Sequence, residues 1–138
     1  MPSGMSVLWW SRHLGREISA GIHPEGADVT TAPTLADEYA RAQLFFDSKA
    51  YSDAALILAG IVEQDPASTA ARLLLARSYY HSAQLTRAAA ELRLVLERDP
   101  VESYAHLMLG RTLERQGRAA EAVPHLRLAA AMDGDPEV

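Results

Sequence analysis

Apolar positions along this chain recur at helical spacing, and from residue 35 onward the whole pattern recurs at a longer interval. Near the start, Val7, Trp10, Leu14 and Ile18 follow one another at steps of three, four and four. That spacing puts them on one face of a short amphipathic helix over about residues 5–19. Further on, bulky apolar residues return every 34 positions: Leu58, Leu92 and Leu126; Phe45, Tyr79 and Leu113; Ile61, Val95 and Ala129. Small residues keep the same interval, at Ala42, Ala76 and Gly110 and at Ala54, Ala88 and Ala122. The punctuation repeats too. Glu63-Gln64-Asp65-Pro66 is answered by Glu97-Arg98-Asp99-Pro100, and one more step reaches Gly134, just before Asp135-Pro136.

A unit of this length that cannot bury its apolar face alone implies pairs of antiparallel helices stacked on their neighbours. The small residues then mark places where two helix backbones approach closely, and the leucines fill the space between one hairpin and the next. Each Asp-Pro ends a second helix, because proline disfavours helical geometry in the residue before it. The pattern predicts helices over 35–48 and 51–64, 68–81 and 85–97, and 102–116 and 119–132. Thr34 and Ser68 are expected as N-caps and Gly117 as a left-handed C-cap. Pro124 falls inside the last helix, near enough to its start that the missing N–H costs little.

With Leu35, Thr69 and Ser103 as first residues of the units, these columns resemble the tetratricopeptide repeat family, over residues 35–136. The resemblance implies an all-α fold: a short superhelix of three helical hairpins, 35–68, 69–102 and 103–136, preceded by an N-terminal segment, 1–34. The fourth place of each unit departs from the family, which often has tryptophan there. This chain has Glu38, Arg72 and His106. Arg41 stands where the family usually has leucine.

The two ends differ from the middle. The third unit has Ala129-Ala130 where the others have Ile61-Val62 and Val95-Leu96, as expected of an end that meets water, although Leu126, Leu128 and Met132 also suit a partner or a second copy. In the N-terminal segment the helix is followed by a turn-rich linker from Gly21 to Pro33. Val7, Trp9, Trp10, Leu14 and Ile18 must dock somewhere. The first hairpin, a partner or second copy of the chain, and a membrane surface with Arg12 and Arg16 at the headgroups are the three placements that satisfy them.

Composition narrows the function. Nearly half of the 138 residues are hydrophobic, and the net charge is −5, so the basic footprint of a nucleic-acid binder is missing. The chain has no cysteine, which excludes disulfides, thiolate catalysis and cysteine-bound metals. No run approaches the length of a membrane-spanning helix, and Arg12 and Arg16 follow the apolar patch Val7–Trp10 instead of preceding it as in a secretory signal. A cytoplasmic protein is expected. None of His13, His23, His81, His106 and His125 stands at metal-ligand spacing, and no phosphate-binding or nucleophile motif is present. His81 and His125 read as surface residues. Neither catalysis, nor a metal, nor a cofactor is expected.

In the family that the repeats resemble, the first helix of each hairpin lines a concave groove. Carried over by register, the inward positions are Ala36, Tyr39, Gln43, Phe46 and Asp47, then Ala70, Leu73, Arg77, Tyr80 and His81, then Tyr104, Leu107, Arg111, Glu114 and Arg115. Aromatic and arginine side chains among them are the types that carry binding energy. A family subset grips chaperone C-termini through a two-carboxylate clamp. Here Tyr39, Gln43, Leu74, Tyr104 and Met108 occupy the clamp positions, so that binding is not implied. The expectation is an adaptor holding a partner peptide or helix, with Arg77, Arg111 and Arg115 favouring acidic residues. A dimeric assembly chaperone whose N-terminal segment dimerises or shields the groove, and a structural subunit of a larger complex, are the alternatives.

Overall fold

The computed structural model describes residues 32–133. They form six helices: α1 (Leu35–Asp47), α2 (Tyr51–Gln64), α3 (Thr69–His81), α4 (Leu85–Arg98), α5 (Ser103–Arg115) and α6 (Ala119–Asp133). No strand occurs among the described residues. Consecutive helices pack on each other throughout, and α3 also touches α5. This is the stacking of three hairpins expected from the period. The N-terminal residues Val7, Trp9, Trp10, Leu14 and Ile18, with their amphipathic helix and linker, lie outside the described residues, as does the end of the third unit.

The first helix of each hairpin is started by a side chain. Thr34 and Asp37 form a reciprocal capping box: Asp37 N–H donates to Thr34 Oγ1 at 3.0 Å and Thr34 N–H to Asp37 Oδ2 at 3.1 Å. Ser68 Oγ accepts from Ala71 N–H at 3.2 Å. Glu102, the third cap, accepts from Tyr104 N–H at 3.2 Å. Ser68 and Glu102 have extended backbones, so these two helices begin one residue later than the apolar pattern predicts. Asp65 and Asp99, ahead of their prolines, leave helical geometry at φ −135° and −137°, which ends α2 and α4. Pro124 leaves α6 unbroken to Asp133.

The turns inside the three hairpins share one hydrogen-bond design. Ser48, Lys49 and Ala50 donate their N–H groups to Leu44, Phe46 and Phe45; Ser82, Ala83 and Gln84 donate to Ser78, Tyr80 and Tyr79; Gln116, Gly117 and Arg118 donate to Thr112, Glu114 and Leu113. The middle residue is left-handed each time: Lys49 (φ 67°), Ala83 (φ 63°) and Gly117 (φ 77°). Gly117 was legible as such a cap. Lys49 and Ala83 adopt the same geometry without a glycine's freedom.

The core follows the repeat. Ala42, Ala54, Ala76, Ala88 and Ala122 are fully buried, as are Leu58 and Leu92. At Gly110 the approach is tight: a Cβ there would lie 2.5 Å from Leu126 Cδ2. That explains glycine where the other units have alanine. The fourth place of each unit is also buried, although it is polar. Glu38, Arg72 and His106 are 5%, 8% and 6% exposed. Each therefore needs a polar partner.

Candidate functional site

Side chains on α1, α3 and α5 meet one another along a single wall, and the aromatic and arginine residues picked out by register form most of it. Phe46, from the end of α1, meets the guanidinium of Arg77 on α3 at 4.7 Å from its ring centre. The same guanidinium lies 5.9 Å from the ring of Tyr104 on α5. Arg77 therefore touches all three hairpins. Arg115, at the end of α5, lies 4.6 Å over the Tyr80 ring and donates from Nη1 to the Tyr80 carbonyl at 2.9 Å. Cations held on aromatic faces in this way contribute about 0.5–1 kcal/mol each where water has access.

His81 sits between these groups. Its ring stacks on Tyr51 at 4.7 Å and meets Phe46 and Tyr80 edge-on at 5.7 and 5.5 Å. The side chain remains exposed to solvent, so the surface placement expected for it holds. Partial burial of the ring, then Arg77 and then Arg115, hold its pKa below the ordinary histidine value. The ring therefore favours the neutral form, and the local charge comes from the two arginines. Burial raises the Tyr104 phenol, with Arg77 opposing.

The remaining candidates are more dispersed. Tyr39 is half-buried against the core formed by the first hairpin and α3. Gln43 and Asp47 are exposed. Arg111 is paired within α5 to Glu114, Nη1 to Oε1 at 3.1 Å, so the three arginines do not act alike. Leu107, expected to face inward, is 5% exposed and belongs to the packing. Tyr51, which register did not select because it opens a second helix, joins the cluster through its stack on His81. Its place beside the α1–α2 turn was the available signal.

The back of the repeat holds what sequence reasoning missed. Arg72 donates to Glu91 at 2.7 Å and to the Pro66 carbonyl at 3.0 Å. His106 and His125 approach Nδ1 to Nδ1 at 3.0 Å. His125, expected at the surface, is half-buried and paired. No group of three or more potential metal ligands occurs among the described residues. No described helix is long and apolar enough to cross a membrane.

Comparison with known proteins agrees with this architecture. No curated protein matches the chain. Among solved structures, MamA from Desulfovibrio magneticus RS-1 superposes with a TM-score of 0.71 at 21% identity, covering 80% of this chain and 62% of that one. YrrB, described as a TPR protein with an unusual peptide-binding site, superposes with a TM-score of 0.72 at 19% identity, covering 93% and 65%. This chain thus spans less than two thirds of either. The CopN–Scc3 complex gives 0.68 at 15% identity, over 86% and 75%. Likeness at such identities speaks for the fold. Residues 45–111 match the tetratricopeptide repeat model. That match, the 34-residue period and the three stacked hairpins together identify a tetratricopeptide repeat architecture across the described residues.

Proposed function

We propose that this chain is a non-catalytic adaptor that holds a peptide or helix of a partner protein against the wall formed by α1, α3 and α5. The partner's carboxylates meet Arg77 and Arg115, and its apolar side chains lie on Phe46, Tyr80 and Tyr104. One observation carries the reading. Among the described residues neither Arg77 nor Arg115 forms an ion pair with a carboxylate, yet both guanidiniums are held in place on aromatic faces. A guanidinium fixed in position without an anion binds one at a smaller entropic cost than a free side chain does. YrrB's description as a peptide-binding protein of this fold points the same way.

The test is selection of peptides from a random library on the full chain, followed by affinity measurement on Arg77→Ala, Arg115→Ala and the double variant. Selected peptides should be rich in Asp and Glu. Each single variant should weaken them about tenfold, the scale of one charge-assisted hydrogen bond, and Asn/Gln versions of the peptides should bind poorly. Selection of uncharged peptides, or equal affinity for the double variant, would sink the proposal.

A further inference from the structure

The second and third hairpins fill one slot with two different polar pairs. In the second, Arg72 reaches across to Glu91 and back to the Pro66 carbonyl. Thirty-four residues on, His106 takes the place of Arg72 and His125 that of Glu91. The contacts are conserved in kind. His106 Nε2 lies 2.8 Å from the Pro100 carbonyl, and the two rings stack at 5.2 Å with an angle of 27° between them. The first hairpin has Glu38 and Ile57 in these places.

The hydrogen positions follow from the partners. A carbonyl only accepts, so His106 Nε2 carries a proton and, in the neutral ring, its Nδ1 is a lone pair. The 3.0 Å contact between Nδ1 atoms then requires His125 Nδ1 to donate. His125 Nε2 is left as the second lone pair. One proton fits between the rings and no more.

We infer that the His106–His125 contact is a proton-sensitive latch, which fastens α6 to α5 near neutral pH and releases it as the solution becomes acidic. The next proton goes to His125 Nε2 and charges a half-buried ring at an open surface groove, lined also by Arg93, Leu96, Glu97, Pro100 and Leu109. Burial, then His106, then Arg93 on α4, hold the His125 pKa below its ordinary value. Glu97, on the same helix and lining the same groove, does not outweigh them. On α6 itself, Glu121 is engaged by Arg118 at 2.6 Å, and Arg127 adds a further cation two residues from His125. Charging His106 as well would put a proton on its Nδ1, pointing at the His125 N–H, and sever the bond. Released, the His125 ring titrates freely near pH 6.5. The released state thus binds more protons in acid. The latch contributes its full stability above about pH 6.5 and loses it as the pH falls below that value.

The second hairpin supplies the control. Exchanging the pair for its equivalent, as His106→Arg with His125→Glu, should keep the slot filled while removing the titration. Denaturant unfolding of the full chain is followed from pH 7.5 to 5.5. The unmodified chain's folding constant should drop by about tenfold relative to the exchanged chain, the limit for one extra proton per pH unit. His81 is present in both and cancels. Parallel curves would overturn the inference. Nitrogen-detected NMR of the unmodified chain serves should the exchanged protein fail to fold. It should show His106 protonated on Nε2 and His125 on Nδ1 at pH 7.5, with His125 titrating below 6.5. The opposite tautomers, or His125 titrating at 6.5 or above, would equally overturn it.

Discussion

The three hairpin turns offer a controlled measurement of left-handed backbone, because one hydrogen-bond design is built with lysine, alanine and glycine in the same place. A non-glycine residue in that region costs about 1–2 kcal/mol. Glycine gives back about 0.4–1 kcal/mol of this through the greater freedom of the unfolded chain. The net expectation is that Gly117→Ala destabilises, and Ala83→Gly stabilises, by about 0.5–1 kcal/mol. Space plays no part at Gly117, where nothing lies within 4 Å of a built Cβ. The effect is therefore one of φ alone. In a chain of 138 residues a change of 1 kcal/mol moves the melting temperature by about 3–5 °C. Calorimetry and denaturant midpoints at unchanged m-value should show opposite shifts for the two variants, near 2–4 °C each. A silent Gly117→Ala, or an Ala83→Gly that lowers the midpoint, would refute the reasoning.

Two further substitutions probe the packing. Arg72→Ala leaves the Glu91 carboxylate and the Pro66 carbonyl without their donor in a slot where Arg72 is 8% exposed, and should cost about 2–3 kcal/mol in denaturant unfolding. Replacing Arg72 and Glu91 together by leucine should cost less than Arg72→Ala, since no charge is then stranded. Gly110→Val drives a side chain into Leu126 and should cost about 1–3 kcal/mol. Leu126→Ala in the same chain should then cost less than it does alone, which a double-mutant cycle measures.

The helices were legible because their signals are local and repeated three times. Asp-Pro stops, small-residue columns and the caps Thr34 and Ser68 each act within a few residues. The same residues specified which helix pairs approach most closely. The pairs at the back of the repeat were not legible. Arg72 and Glu91, like His106 and His125, are 19 residues apart and meet only once two hairpin helices are laid side by side. A signal existed all the same: a charged or polar residue in a slot the family often fills with tryptophan demands a partner, which Glu38 takes from Arg41 on its own helix and Arg72 and His106 take from the facing one. Leu107 was misplaced for the opposite reason, since register alone does not say how deeply a groove position sinks into the core.

Each helix packs on the next in the chain, and the contacts that reach past an intervening helix, α1 to α3 and α3 to α5, are few. The fold is therefore held by a row of neighbour-to-neighbour seams, with no single centre that all six helices share. Such a row frays from its ends. Slow amide exchange should be confined to α3 and α4, each flanked by hairpins on both sides, with protection declining toward α1 and α6. A guest lying along the wall would touch several seams at once, so it would tighten the ends more than the middle.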